Sequence, residues 1–153
     1  KKMLALLRKK KNSFLRGLRK KNKMACLDTS FIIDFIHGNK DALSLLDEIS
    51  SFEKRLTLPS PVVMEIWLGI CLQGRESRER QKVLSLFESM EILSFDERCA
   101  KETAEIRAQL QKKGKLIGIE DCMIAAIAKI NHETLVTKDA DFSSIDGLKI
   151  FKY

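Results

Sequence analysis

The chain has 153 residues, of which 44% are hydrophobic and 32% are charged, with a net charge of +7. That length can bury one sizeable core but is short for two ordinary domains. No run of about 18 uncharged apolar residues occurs, so we expect a single-domain, soluble, cytoplasmic protein without a membrane-spanning helix.

The positive charge is concentrated at the start of the chain. Residues 1–23, which we call the basic leader, contain eight Lys, three Arg and no acid, a charge of +11. Residues 24–153 contain 17 basic and 21 acidic residues, a charge of −4. Leu4, Leu7, Phe14 and Leu18 are spaced as on a basic amphipathic helix. Three interpretations stay open: the leader contacts RNA phosphates, docks on a partner, or is sequence upstream of a native start at Met24.

After the leader, short apolar runs alternate with stretches of helical periodicity. The elements predicted in the first half are a strand at 24–27, helices at 30–37 and 40–50, a strand at 56–58 and a helix at 60–72. Ser60 followed by Pro61 indicates a helix start, because Ser offers a capping oxygen and Pro at the first helical position loses no needed donor. Gly74 is a predicted stop.

The second half continues the alternation. The predicted elements are a helix after the charged stretch 75–80, a strand at 92–93, a helix capped by Asp96, an alanine-rich helix at 119–131, and strands at 134–137 and 148–151. Val83, Phe87 and Met90 are the core positions expected in the first of these helices. Because helices rather than tight turns separate the strands, the pattern predicts an α/β fold with a parallel sheet.

The four cysteines, Cys26, Cys71, Cys99 and Cys122, lie 45, 28 and 23 residues apart. None forms the C-x-x-C spacing of a structural zinc site. Most have apolar neighbours, so we expect small buried side chains in a reducing cytosol.

Three acids interrupt or adjoin apolar segments. Asp28 follows the first strand, Glu65 is the only charge in the helix at 61–72, and Asp121 stands where the alanine-rich helix begins. Asp139 and Asp141 follow the strand at 134–137. Ligand sites gather at the carboxyl ends of parallel strands, where Asp28 and the last two acids would emerge.

Each acid also has an ordinary structural explanation, since Asp28 or Asp121 can cap a helix and Glu65 can face solvent. Together, however, closely placed carboxylates would repel one another unless a cation neutralised them. Oxygen ligands without a His or Cys cluster suit Mg²⁺ or Mn²⁺. Such an ion activates water and stabilises charge during phosphodiester hydrolysis.

Four sequence blocks carry a resemblance to the PIN domain, in particular to the VapC-type toxin nucleases of prokaryotic toxin–antitoxin pairs. The blocks are LDTSFIID (27–34), PVVME (61–65), GIEDCMIAA (118–126) and LVTKDADF (135–142). They occur in the order and spacing typical of that family, and the resemblance spans residues 24–153 while leaving the leader without a counterpart.

The resemblance implies a three-layer α/β/α sandwich with a central parallel sheet and Mg²⁺- or Mn²⁺-dependent cleavage of RNA. It places the family's acids on Asp28, Glu65, Asp121 and Asp139, with Asp141 as the rival for the fourth position. It also implies a homodimer and restraint by an antitoxin protein.

Hydroxyls are expected around these acids. Thr29, Ser30 and Thr137 stand close to them in sequence and either hydrogen-bond the carboxylates or cap helices and turns. We expect Glu120 to point away from the pocket rather than to take part in it. Two alternative functions remain at this level: an RNA-processing nuclease without a toxin role, and a catalytically silent module that binds RNA or protein.

Overall fold

The computed structural model describes residues 11–14, 24–50, 55–73 and 78–153. Within these ranges, five strands form one sheet: β1 (Ala25–Leu27), β2 (Leu56–Pro59), β3 (Glu91–Leu93), β4 (Thr134–Val136) and β5 (Lys149–Phe151). Their order across the sheet is β3-β2-β1-β4-β5, and each neighbouring pair is parallel. The predicted parallel sheet is therefore confirmed.

Helices connect the strands and flank the sheet. They are α1 (Thr29–Ile36), α2 (Lys40–Ser50), α3 (Ser60–Gln73), α4 (Arg78–Glu88), α5 (Glu97–Lys112) and α6 (Ile119–Ile130), followed by a 3₁₀ helix (Asp141–Ser144). The result is the predicted α/β/α sandwich. Parallel strands need such crossover connections, which cover both faces of the sheet.

Burial explains why the central strands are continuously apolar. All three residues of β1 are fully buried, as expected for a strand covered on both faces. The alanine-rich α6 buries Cys122, Ile124 and the run 125–128. Small side chains there allow the helix to pack closely, and these residues belong to the hydrophobic core.

The predicted cap of α5 is confirmed. Asp96 accepts a hydrogen bond from the Cys99 backbone N–H at 2.9 Å, and Cys99, Thr103, Ile106 and Leu110 on one face of α5 are buried. Gly114 follows the helix end with a φ of 66°, a left-handed conformation that glycine adopts without steric cost.

Some local predictions were wrong. The helix start predicted at Ser60 and Pro61 is confirmed, but Ser60 lies at the first position of α3 and its hydroxyl accepts the Phe95 backbone N–H at 3.1 Å, which connects α3 with the segment after β3. Met90 is buried as predicted but lies beyond the end of α4. Cys71 is exposed, whereas the other three cysteines are buried and all four are free thiols.

The predicted stop at Gly74 and the charged residues 75–77 lie outside the described residues, as does the leader apart from residues 11–14, which are helical. Among the helices that are described, none is both long and apolar enough to cross a membrane.

Candidate active site

The four predicted acids line one cleft at the carboxyl edge of the sheet. The cleft has a volume of about 250 Å³. Its lining residues are Asp28, Thr29, Ser30, Ile33, Glu65, Asp121, Ile124, Asp139 and Phe142. Residues far apart in the sequence are brought together there because the carboxyl ends of parallel strands meet at one edge.

Asp28 is the most deeply buried acid of the cleft, with 2% of its surface exposed. It ends β1 and also caps α1, because its carboxylate accepts the Phe31 backbone N–H at 2.8 Å. Hydroxyls of Ser30, at 2.8 and 2.9 Å from its two oxygens, and of Thr137 donate to the same carboxylate. Burial raises the pKa of Asp28, while these hydrogen bonds oppose that rise. The predicted cap is thus confirmed, and the same carboxylate lines the cleft.

Glu65 projects from α3 into the cleft. Its carboxylate accepts a hydrogen bond from the Thr29 hydroxyl, which connects α1 with α3 across 36 residues of sequence. Glu65 therefore does not simply face solvent. The predicted hydrogen bonds of Thr29, Ser30 and Thr137 to carboxylates are all present.

Asp121 lies in the first turn of α6, where Gly118 is the N-cap residue and offers no side chain. Burial, followed by the charges of Asp139, Glu65 and Asp28, raises the pKa of Asp121 to about 6. The carboxylates of the cleft thus act on one another electrostatically. Glu120 lies outside the cleft and has the weakest effect of the four neighbouring acids.

Asp139, rather than Asp141, lines the cleft. Its backbone N–H donates to the Thr137 hydroxyl at 2.9 Å, and that hydroxyl in turn donates to Asp28. Asp141 is exposed and begins the 3₁₀ helix, while its backbone N–H donates to the Asp139 carboxylate at 2.8 Å. The geometry therefore favours Asp139 for the fourth position and leaves Asp141 as its support.

A second polar cluster supports α1 and was missed by sequence reasoning. Asp34 accepts hydrogen bonds from the Lys138 ammonium at 2.7 Å and from the Tyr153 hydroxyl at 3.1 Å. The Tyr153 ring also packs edge-on against Phe31, with centroids 5.0 Å apart. These contacts join α1 to the segments after β4 and β5. No sequence pattern links Asp34 to Tyr153, because the two residues are 119 positions apart in the chain.

The side chains of the cleft suit a hard cation. Its polar lining consists of carboxylates and hydroxyls, and within the described residues no Lys, Arg or His lines it. Among the described residues, no three His, Cys, Asp or Glu side chains lie together as a complete metal-ligand set.

An apolar groove adjoins the acidic cleft. It has a volume of about 210 Å³ and lies among α1, α3 and α4. Its apolar lining includes Ile36, Ile66 and Ile70, and it shares Thr29 and Glu65 with the cleft. An occupant of this groove would therefore lie beside the carboxylates.

The fold and site define an α/β/α protein with a carboxylate cleft at the carboxyl edge of its parallel sheet. The model of the PIN domain family matches residues 25–148. The chain therefore belongs to the PIN domain family.

Known proteins extend this relationship. Ribonuclease VapC2 of Rickettsia felis is 27% identical over 123 residues, which cover 80% of this chain and 92% of that protein. The solved VapBC2 structure from the same organism, bound to a promoter DNA fragment, has a TM-score of 0.78 at 23% identity and covers 85% of this chain and 98% of its own. That likeness supports the fold.

A third similar protein belongs to a toxin–antitoxin system. VapBC-5 of Mycobacterium tuberculosis, described as a member of the VapBC family of such systems, has a TM-score of 0.60 at 27% identity. The alignment covers 86% of this chain and 98% of that one. The likeness thus extends over nearly the whole described domain.

Proposed function

We propose that the chain is a Mg²⁺- or Mn²⁺-dependent endoribonuclease that hydrolyses RNA phosphodiester bonds and acts as the toxin of a toxin–antitoxin pair. The observation that carries this proposal is the cleft in which Asp28, Glu65, Asp121 and Asp139 meet without a cationic side chain among the described lining residues. Membership of the PIN domain family and the likeness to a protein named a ribonuclease support RNA as the substrate.

The four carboxylates have different roles in holding the ion. Asp28, Glu65 and Asp121 act as direct or water-mediated ligands, and Asp139 completes the set or holds a second ion. When bound, the ion makes water nucleophilic at neutral pH and offsets the charge that builds on the phosphodiester. Thr137 orients both Asp28 and Asp139 through its hydroxyl, as outer-shell residues commonly do in metal sites.

The likeness to a toxin–antitoxin protein supports restraint by an antitoxin. A suitable antitoxin segment would place apolar side chains in the groove lined by Ile36, Ile66 and Ile70, and a basic side chain in the adjoining cleft. The basic group would offset the carboxylate charges and exclude the ion. Charge complementarity of this kind gives both specificity and fast association.

Self-association is expected through α3. Met64, Leu68 and Leu72 repeat every four residues and are 48%, 53% and 79% exposed, so they form an apolar stripe on one face of that helix. We expect a homodimer by light scattering, and we expect Leu68→Glu to shift it toward monomer. An unchanged molar mass in that variant would show that the dimer surface lies elsewhere.

RNA cleavage tests the proposed site. The native chain, Asp28→Asn and Asp121→Asn are incubated with several RNAs in Mg²⁺, in Mn²⁺ and in chelator. Loss of a metal ligand is expected to slow cleavage by on the order of a hundredfold or more, because the ion contributes several kcal/mol to the transition state. Asp141→Asn is the matched control, since Asp141 is an acid two residues from Asp139 but outside the cleft. Equal activity of native chain and Asp28→Asn would refute the proposed site.

Expression separates a toxin from a processing nuclease. The active chain is expected to arrest growth, Asp28→Asn is expected not to, and co-expression of a small protein encoded beside the gene is expected to restore growth. Normal growth under strong expression of protein that cleaves RNA in vitro would contradict the toxin role. It would leave the nuclease assignment intact.

A further inference from the structure

Asp34 on α1 holds two other chain segments at once. One of its carboxylate oxygens accepts from the Lys138 ammonium at 2.7 Å, and the other accepts from the Tyr153 hydroxyl at 3.1 Å. A single exposed ion pair contributes little to a fold. Here, however, the Asp34 side chain is only 15% exposed, and donors from two segments meet on it. We call Asp34, Lys138 and Tyr153 the α1 clamp.

Lys138 connects the α1 clamp with the loop that carries Asp139. Residues 137–139 belong to no helix or strand, so their position depends on side-chain contacts more than that of a strand residue does. The Thr137 hydroxyl donates to Asp28 and accepts the Asp139 backbone N–H at 2.9 Å. Lys138 lies between Thr137 and Asp139, and its ion pair therefore holds this loop against α1.

Tyr153 connects the α1 clamp with the first turn of α1. Its ring packs edge-on against Phe31 with centroids 5.0 Å apart, and the Phe31 backbone N–H donates to Asp28 at 2.8 Å. Burial raises the pKa of the Tyr153 hydroxyl, and the nearby Ser30 hydroxyl opposes that rise. Ser30 also donates to both oxygens of Asp28. Tyr153 therefore contacts the residues that orient the Asp28 carboxylate from α1.

Different segments carry the acids of the cleft. Asp28 caps α1, and Thr29 in the first turn of that helix donates to Glu65. Asp139 comes from the loop after β4. Asp28 and Asp139 carry like charges that repel each other. Contacts that hold the loop against α1 oppose this repulsion and keep both carboxylates at one cleft.

We propose that the α1 clamp positions Asp139 and its loop against Asp28, so that the cleft keeps the spacing that its metal ion requires. This inference rests on the proposed function for the identity of the ion. Asp34, Lys138 and Tyr153 are positioning residues, because none of the three is among the residues that line the cleft. A contact that served stability alone would leave the metal affinity of the folded chain unchanged.

Mn²⁺ binding to the full-length chain, measured by calorimetry without RNA, tests the inference. Asp34→Asn removes the charge that both donors share and is expected to weaken Mn²⁺ binding about tenfold, the lower end of the range for residues that orient metal ligands. Tyr153→Phe keeps the ring and removes the hydroxyl, so about a threefold loss is expected. Lys138→Gln should also weaken binding about threefold, and Lys138→Arg should restore it because it retains the charge.

Asp146→Asn is the matched control. Asp146 pairs with the Lys113 ammonium at 2.7 Å and connects segments 33 residues apart, but neither residue lines the cleft. We expect native Mn²⁺ affinity in this variant. Urea denaturation establishes that each variant is folded at the temperature of the titration. If Asp34→Asn does not fold, Tyr153→Phe and Lys138→Gln still decide the question.

A double-mutant cycle separates positioning from direct contact with RNA. Asp34→Asn/Lys138→Gln should bind Mn²⁺ no more weakly than Asp34→Asn alone, because both substitutions remove the same ion pair. At subsaturating Mn²⁺, kcat for RNA cleavage by Asp34→Asn should fall about tenfold while KM changes less than twofold. Additive effects together with a raised KM in Lys138→Gln would assign Lys138 to RNA binding and overturn the inference.

Hydrogen exchange of the Asp139 backbone N–H gives a test that needs no metal. Exchange should be about tenfold faster in Asp34→Asn than in the native chain, because the loop is held less firmly. Unchanged exchange with unchanged Mn²⁺ affinity in all clamp variants, while the native chain binds Mn²⁺ and cleaves RNA, would refute the clamp and keep the nuclease. Faster exchange in a chain that neither binds Mn²⁺ nor cleaves RNA would support the positioning of Asp139 and refute the proposed function.

Discussion

Buried acids lie at both edges of the sheet, but their number and their access to solvent differ between the two edges. At the carboxyl edge, Asp28, Glu65, Asp121 and Asp139 share one open cleft. Toward the amino-terminal ends of the strands, Glu133 precedes β4 alone, with 4% of its surface exposed and a hydrogen bond from the Thr57 hydroxyl. The difference lies in number and access rather than in the type of residue.

Each arrangement favours a different way of relieving the charge. At the carboxyl edge, burial and neighbouring carboxylates raise the pKa of Asp121 to about 6, and an open cleft allows a divalent ion to offset them. For Glu133, the pKa is raised to about 7, chiefly by burial; the Thr57 hydrogen bond opposes the rise and the charge of Glu91 adds to it. A bound proton removes the negative charge of the enclosed Glu133 more readily than that of an ordinary glutamate, because its pKa is raised. Burial alone therefore does not identify a metal site.

The largest expected effect concerns Glu133. Its pKa is about 7 in the folded chain against 4.5 for a free glutamate, so the native state binds more protons between these values. Stability should therefore fall as the pH rises from about 4.5 to about 7, by roughly 3 kcal/mol at most. Glu133→Gln stays neutral, so we expect it to be more stable than the native chain at pH 8 and similar at low pH. Urea denaturation at both pH values measures this.

The control for that prediction is Glu91→Gln, which removes an exposed acid facing Glu133. We expect its stability to change by less than about 0.5 kcal/mol at either pH. The buried Cys26 thiol, which also faces Glu133, is unchanged in both variants. Parallel pH profiles for the native chain and Glu133→Gln would show that the buried acid does not titrate as proposed.

The next effect concerns the ion at the carboxyl edge. Mg²⁺ or Mn²⁺ that binds the folded chain should raise its free energy of unfolding by about 2.7 kcal/mol at a concentration of 100 Kd. Thermal unfolding with increasing metal measures the effect without relying on activity. Asp121→Asn should abolish the shift and Glu133→Gln should retain it. A shift of equal size in Asp121→Asn would place the ion outside the cleft.

Much of this organisation could be predicted from the sequence. Apolar periodicity indicates the strands and helices, and acids that interrupt an apolar segment stand out as candidate site residues. Asp28, Glu65 and Asp121 are such interruptions, and the parallel sheet brings them to one edge. The choice of Asp139 over Asp141 could not be predicted in this way. It depends on the Thr137 hydroxyl and on the turn into the 3₁₀ helix, which are properties of three-dimensional geometry.

The features that were missed depend on contacts between distant segments. Tyr153 reaches Asp34 because β5 and β1 end at the same edge, and nothing near either residue signals the partner. Glu133 lies between a helix end and a short strand, where a glutamate would ordinarily face solvent. Its burial results from how α6 and the sheet pack, which local sequence does not encode.

A smaller effect tests how the cleft places Asp121. A Cβ atom added at Gly118 would lie 2.9 Å from the Asp121 Oδ2 atom, so Gly118→Ala must move that carboxylate. The φ of −51° at Gly118 suits alanine, and the backbone should be unaffected. We expect RNA cleavage to slow about tenfold, or about 1.4 kcal/mol, with a weaker metal-induced stabilisation.

Gly69→Ala is the matched control for that substitution. Gly69 lies one turn from Glu65 on α3, and a Cβ atom there meets nothing within 4 Å. We expect unchanged cleavage and, because alanine favours a helix interior, slightly higher stability. Full activity in Gly118→Ala would mean that Asp121 reaches its working position by another rotamer.

The smallest effect lies in the turn that leads to Glu133. His132 follows α6 with a φ of 58°, a left-handed conformation that costs a residue with a Cβ atom about 1 kcal/mol or more. His132→Gly should stabilise the chain by about 0.5 to 1 kcal/mol after the greater freedom of glycine in the unfolded state is subtracted. His132→Ala removes the imidazole but keeps the Cβ atom, so it should bring no such gain. Equal stabilisation by both substitutions, measured by urea denaturation, would assign the effect to the imidazole. Since the turn is distant from the carboxylate cleft, neither substitution should change the metal-induced shift, which separates the two edges energetically.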